Sequence, residues 1–307
     1  MNILVTGGCG YVGTRLTERL LIEGHNITVV DTMWFGNYLN KHENLIVVKT
    51  DIRDIDKVPM VNIDSVIHLA NIANDPTGDL NSKLTWEVNV LASKLLIEKA
   101  ISHDVKQFIY ASSGSVYGVK EELEVTEELS LLPISDYNKT KMISERVLMS
   151  YNDEITLQII RPATVCGYSP RMRLDLSVSM LTMQALVNGE ITVFGGDQTR
   201  PNIHMNDMIG VYLHFLQLGQ KATGIYNAGF ENLTIFELAY RVKTIFAQRY
   251  KKDIEIILPD NTVSESPFVF QNEKMFRIDI TKIKQLGFEP NTTINEGISE
   301  LLNYLKP

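Results

Sequence analysis

Cysteine is almost missing from this chain. Two residues in 307, Cys9 and Cys166, cannot build a disulfide framework and suit a reducing compartment. Positive charge is short: 29 Lys and Arg against 37 Asp and Glu leave a net charge of −8. That balance excludes a general nucleic-acid or anionic-membrane surface, so an anionic ligand needs a local basic pocket. No stretch reaches the roughly 18 consecutive apolar residues of a membrane span. A strand pattern already begins at Ile3, where a basic-then-apolar leader would otherwise be read. Internal repeats, low-complexity tracts and flexible linkers are lacking too. What is left, 44% hydrophobic and 21% charged, is the composition of a soluble globular chain expected in the cytoplasm, with one large or two intimately joined domains.

Short runs rich in Ile and Val fall at residues 3–6, 27–30, 45–49, 66–70, 107–111 and 156–161. They are apolar on both faces, as strands covered on both sides must be. Helical patterns at 11–21, 80–102 and 136–151 alternate with them. The alternation predicts an α/β fold with a doubly wound, Rossmann-type parallel sheet, whose ligands bind at the carboxyl ends of the strands. After Arg161-Pro162 the rhythm becomes irregular, with helical patterns at 176–187, 205–217, 234–249 and 296–305. The last two open with capping-box spacing, Thr234 to Glu237 and Thr293 to Glu296. The expected division is a dinucleotide-binding domain over 1–165 and a smaller mixed α/β domain over 166–307. Segments of the second domain return to the first, and it covers the active edge of the sheet.

Gly8-x-Gly10-x-x-Gly13 follows a strand at once and opens an amphipathic helix. Glycines let the turn close and let backbone N–H groups of the loop, from Gly7 through Gly10, Tyr11, Val12 and Gly13, approach phosphate oxygens. The helix N-terminus adds partial positive charge. Asp31, ending the second strand, is placed to accept hydrogen bonds from both ribose hydroxyls and to repel a 2′-phosphate. No Arg follows it, since Thr32, Met33 and Trp34 come next, so NAD is favoured over NADP. Asp51 and Ile52, after the third strand, are placed to meet the adenine; a solvated loop Asp is the competing account. Cys9 is a small residue that fits the loop.

Tyr137 and Lys141 are spaced i, i+4 and share one helix face. A free tyrosine with pKa near 10 is a poor base at neutral pH, but a neighbouring Lys cation and a nicotinamide cation both favour phenolate. Tyr137 then takes the proton of a substrate hydroxyl as hydride leaves the same carbon. Such a pair is common by chance. Here Ser112-Ser113-Gly114-Ser115-Val116-Tyr117-Gly118 ends the fifth strand just upstream, and Ser113 is the candidate partner of the reacting oxygen. Turn chemistry accounts for Ser112.

Together these residues resemble the extended short-chain dehydrogenase/reductases, in particular the nucleotide-sugar epimerase/dehydratase group. The resemblance runs nearly end to end and includes His68-Leu69-Ala70, Asn89, Arg161-Pro162-Ala163-Thr164-Val165, Arg200-Pro201-Asn202-Ile203-His204 and Leu286-Gly287-Phe288-Glu289-Pro290. It implies a cofactor-binding role for Leu69 and Ala70, and for Lys141 on the nicotinamide ribose. It implies a nucleotide-diphosphate contact for Arg200. Arg171 and Arg173 are candidates for the same contact, with a plain surface loop as the alternative, and Arg277 and Lys274 lie where a further phosphate contact is found. Asn74 and Asp75 are expected to border the sugar. His68 and His204 are read as structural, Cys166 as a packed thiol rather than an added acid/base, and no residue is assigned to a metal.

Dehydratases of the group carry Asp-Glu after the serine, where this chain has Gly114-Ser115. The resemblance therefore points to a 4-epimerase acting on a nucleotide-diphosphate sugar through a 4-keto intermediate with tightly held NAD. The alternative is a 4-dehydrogenase/reductase, because Ser169-Pro170-Arg171-Met172-Arg173-Leu174-Asp175-Leu176 is similar to a segment of the GDP-heptose 4-dehydrogenase branch, which acts on surface-polysaccharide precursors. A non-catalytic dinucleotide sensor is the minor alternative. The resemblance also implies a homodimer through the helices at 80–102 and 136–151.

Overall fold

The computed structural model describes residues 1–120, 122–259 and 277–305. Its centre is a parallel sheet of seven strands: β1 (Asn2–Thr6), β2 (Asn26–Asp31), β3 (Leu45–Lys49), β4 (Ser65–His68), β5 (Gln107–Ala111), β6 (Thr156–Pro162) and β7 (Gly224–Ala228). Their order across the sheet is β7-β6-β5-β4-β1-β2-β3, so the chain reverses direction beside β1. In register, Val5 of β1 lies between Val29 and Ile67.

Successive strand residues point to opposite faces, and both faces are covered. Ile3, Val5, Ile67 and Ile109 pack with Leu16 and Leu20 of helix Tyr11–Ile22 and with Met208, Tyr212 and Phe215 of helix Met205–Leu218. Leu4, Val66, Phe108 and Tyr110 pack on the other side with Leu96 and Ile97 of helix Ser93–Ser102 and Leu148 of helix Asp136–Met149.

The strands expected from sequence are present to within two residues at their ends. β7 was not anticipated: Gly-Ile-Tyr-Asn-Ala is too short and too mixed to stand out by periodicity. The expected helix over 80–102 is broken instead. Short helices Asp75–Leu80 and Ser82–Trp86 meet at Asn81, whose side chain accepts from Leu84 N (3.0 Å), and a π-helical turn, Glu87–Ala92, precedes Ser93–Ser102. Asn81 closes one helix and caps the next, a local hydrogen-bond choice that hydrophobic spacing does not report.

In the second half, strand Thr199–His204 lies between Thr164–Cys166 (parallel) and Glu231–Thr234 (antiparallel). Helices Ser177–Asn188, Ile235–Tyr250 and Ile294–Tyr304 pack around a separate apolar cluster that includes Leu181, Leu238 and Ile298. Both expected capping boxes are formed, at Thr234/Glu237 and Thr293/Glu296. Helix Met205–Leu218 and β7 return to the main sheet, where Gln107 donates to Phe215 O (2.7 Å) and Gln158 to Gly219 O (3.0 Å).

Candidate active site

The glycine loop sits at the carboxyl edge of β1. Gly7 has φ +73°, and a Cβ there would stand 2.7 Å from Ala70 N; one on Gly13 would stand 2.1 Å from Gly7 O. The loop is thus packed so tightly on β4 and on its own helix that side chains are excluded and its backbone faces the cleft. Helix Tyr11–Ile22 has no side-chain cap and no acid in its first turn, which suits an anion at its N-terminus. Asp31 accepts from Cys9 N (3.0 Å) and Met33 N (2.7 Å), so its carboxylate is fixed beside the loop. Leu69 and Ala70 reach the same place, with Ala70 N donating to Thr6 Oγ1 (3.3 Å). Gly7, Gly10, Tyr11, Val12, Gly13, Asp31, Leu69 and Ala70 therefore form one cradle, and its chemistry fits a dinucleotide. Asp51 stands apart, bidentate to Arg53 (2.9 and 3.1 Å); burial opposes its ionisation, yet Arg53 holds the carboxyl below its ordinary range. Ile52 is buried.

Beyond β5, Ser135 caps helix Asp136–Met149 by accepting from Asn138 N (3.1 Å) and donates to Asp75. This fixes the first turn, which carries Tyr137. One turn on, buried Lys141 donates to Ala111 O (2.5 Å), at the end of β5, with its Nζ 5.8 Å from the Tyr137 ring centroid. Ser113 follows two residues after Ala111, and its hydroxyl acts on the Tyr137 phenol in the direction that favours the phenolate. Its oxygen lies 2.7 Å from Ser115 Oγ, and Ser115 in turn donates to Asn138 Oδ1. Ser112 points away, donating to Glu145 Oε1 (2.5 Å), which confirms it as structural.

Burial governs the protonation of this pair. It raises the pKa of Tyr137, against which the Ser113 hydroxyl and the Arg173 charge favour the phenolate. It pushes Lys141 down to about 7, with the Glu145 carboxylate opposing. The expectation that the lysine and nicotinamide cations favour the phenolate is thus only half the balance: desolvation acts on both Tyr137 and Lys141.

Around the mouth, Asn74 donates to Asp175 (3.0 Å), and Asp175 holds Arg173 through two contacts, 3.1 and 2.5 Å. This brings Asn74, Asp75 and Arg173 to the Tyr137 side of the cleft. Arg171 goes elsewhere, with its guanidinium carbon 3.9 Å from the Phe35 ring centroid, on the loop after Asp31. Arg200 lies on Thr199–His204, a strand that rests against the short strand Arg277–Ile278. Lys274 lies outside the described residues.

His68 is structural: fully buried, it bonds Thr6 (2.6 Å) and Ser93 (2.8 Å), and burial pushes its pKa down to about 3. His204 caps helix Met205–Leu218 by accepting from Asn206 N (3.1 Å). Cys166 is packed so closely that a Cβ on Gly297 would lie 3.2 Å from its sulfur, and burial raises its pKa.

Sequence reasoning missed the buried pair beneath the site. Arg161 binds Glu145 at 2.9 and 2.6 Å and donates to Tyr117 Oη (2.9 Å). The signal was present in Glu145 standing i+4 from Lys141. Phe35 was also missed, since nothing local marks it.

A parallel sheet in this order, a glycine cradle after β1, an acid closing β2 and a Ser/Tyr/Lys set beyond β5 define an extended short-chain dehydrogenase/reductase. The chain belongs to the NAD dependent epimerase/dehydratase family, whose model matches residues 3–229. It is 28% identical over 314 residues to a protein of Methanocaldococcus jannaschii described as a putative UDP-glucose 4-epimerase, with 99% of this chain and 98% of the relative covered. Among solved structures, a Thermotoga maritima UDP-glucose 4-epimerase with UDP-glucose superposes with a TM-score of 0.84 at 27% identity, covering 99% of this chain and 98% of that one. A point variant of the Bacillus cereus UDP-glucuronic acid 4-epimerase, in complex with NAD and a fluorinated UDP-sugar, gives 0.85 at 26% identity with the same coverage. The cofactor is NAD.

Proposed function

We propose that this chain is an NAD-dependent nucleotide-sugar 4-epimerase. The observation that carries the reading is Ser113, Tyr137 and Lys141 gathered in one corner at the end of β5, with Lys141 Nζ 5.8 Å from the Tyr137 ring centroid and no acid/base pair in the two positions after Ser113. A Cβ at Gly114 would already stand 3.1 Å from Pro162 O, and Ser115 is committed to Asn138. Hydride chemistry at a sugar carbon is served by such a set; elimination of water is not.

In this reading Gly7, Gly10, Tyr11, Val12, Gly13, Asp31, Leu69 and Ala70 hold NAD, with Asp51 and Ile52 at the adenine end. NAD, when bound, supplies the acceptor and then the donor of the C4 hydride. Tyr137 takes the proton of the C4 hydroxyl and returns it to the same oxygen after the sugar has turned over. Ser113 hydrogen-bonds that oxygen, and the Lys141 cation steadies the phenolate. Asn74 and Arg173 border the sugar, while Arg200 and Arg277 meet the diphosphate with donors suited to it.

Residues 1–165 serve as the cofactor domain and 166–307 as the sugar-nucleotide domain. The protein works in the cytoplasm on polysaccharide precursors, as a homodimer. Its dimer face includes the exposed Leu91 (56%) and Leu95 (42%).

The test is incubation with UDP-, dTDP-, GDP- and CDP-sugars, following C4 configuration by NMR. An equilibrium of C4 epimers without net NADH is expected, and Tyr137→Phe should slow it about 10²–10⁴-fold. A 4-keto product with accumulating NADH would make the enzyme a dehydrogenase instead.

A further inference from the structure

We propose that Arg171 belongs to the cofactor site: it reaches across the cleft from the second half of the chain, uses Phe35 as its platform, and retains NAD by its pyrophosphate. The inference rests on the cofactor cradle and is independent of which sugar is turned over.

Both ends of this bridge are tied to the cradle. On one side, the loop carrying Phe35 is held by Asp31, which accepts from Met33 N (2.7 Å) and Cys9 N (3.0 Å), while Cys9 Sγ lies 3.6 Å from Asn37 Oδ1. On the other side, the segment leading to Arg171 is anchored on the glycine-loop helix. Tyr11 donates to Gly167 O (2.7 Å) and Arg15 to Tyr168 O (2.9 Å). Between the two loops runs a cleft of about 400 Å³, lined by Phe35, Tyr38 and residues 171–175.

Charge completes the argument. A pyrophosphate carries two negative charges, whereas a helix N-terminus offers only about half a positive charge, and Asp31 stands beside it. A cation over the loop would add to the attraction of its amides. Among the described residues Arg171 has no ion-pair partner, whereas Arg173 is bound by Asp175 and Arg15 stands 3.6 Å from Glu300. Burial and the neighbouring Arg173 cation oppose the Arg171 charge, while the Asp175 and Asp31 carboxylates favour it. Arg171 Nη1 donates to Met172 O (3.1 Å), and planar stacking on an aromatic face leaves the remaining N–H groups of the guanidinium available to an anion. Arg200 and Arg277, on strands of two other sheets, remain for the substrate's diphosphate.

The experiment loads the protein with NADH, chases with excess NAD, and follows release by fluorescence. Arg171→Ala should speed release by about tenfold or more, equivalent to about 1.4 kcal/mol. Arg171→Lys, which keeps charge but loses the stack, and Phe35→Leu should each fall between this variant and the wild type. UDP and GDP affinities of the NADH-loaded protein, measured by calorimetry, should be unchanged by Arg171→Ala and weakened by Arg200→Ala. Phe35 is 62% exposed, so its replacement leaves the core intact, and melting curves check the fold of each variant. Release within roughly twofold of wild type in Arg171→Ala, or weakened UDP or GDP binding with NADH release unaltered, would overturn the assignment.

Discussion

At the scale of single residues, the site is a contest between burial and charge. Lys141 is sealed in the protein, and its pKa falls from 10.5 to about 7. At about 1.4 kcal/mol per pKa unit, the drop caps the cost of that buried cation at about 5 kcal/mol. Below pH 7 folded and unfolded chains both hold the proton, and the cost is full. Between pH 7 and 10.5 the unfolded chain holds more protons, so stability rises with pH in that window. Lys141→Met is therefore expected to raise the melting temperature at pH 6.5, with the advantage shrinking by pH 9, while turnover is lost. A variant less stable than wild type at both values would contradict this account. Glu145→Gln leaves Arg161 buried without its counter-charge and should cost about 3–5 kcal/mol in denaturant unfolding. Tyr137, Lys141 and Ser113 were legible because proton chemistry imposes residue type and spacing. Phe35 was not: its partner Arg171 comes from the other half of the chain, and only the fold brings the two together.

At the scale of elements, local rules explain most of what could be read. Strands apolar on both faces and helices with capping boxes announce themselves by period and by caps. The break at Asn81 and the π-helical turn over Glu87–Ala92 did not, because both are set by particular hydrogen bonds. Buried Asn89 uses its side chain to bind Ile72 N (2.8 Å), Ile72 O (3.2 Å) and Thr140 Oγ1 (3.0 Å), tying the turn to the helix that carries Tyr137 and Lys141. The loop between β1 and its helix offers a sharper test. Since a Cβ on Gly13 would overlap Gly7 O, Gly13→Ala should weaken NADH binding by about tenfold or more, as read by fluorescence titration. Equal affinity in the variant would mean that the cradle gives way more easily than its packing implies.

At the scale of the whole molecule, the doubly wound architecture followed from strand–helix alternation, and a return of second-half segments to it was expected, but which segments return was not. Periodicity fades after Pro162, and neither β7 nor the sheet-facing role of helix Met205–Leu218 leaves a mark that distinguishes it from a separate lid. The dimer is tested at this scale too: Leu91→Glu with Leu95→Glu should convert a dimeric species to a monomer in sedimentation equilibrium. A wild type that is already monomeric removes that face from consideration. The return of β7 to the sheet also has a consequence for biosynthesis. While the chain is being made, β6 is an open strand edge, and the apolar face awaiting helix Met205–Leu218 stays bare until residues up to 228 have left the ribosome. At about 5–20 residues per second that interval lasts on the order of several seconds. The nascent chain is most vulnerable to edge-on association in that interval, so slowed translation between Pro162 and Gly224 should lower the soluble yield of an otherwise unaltered protein.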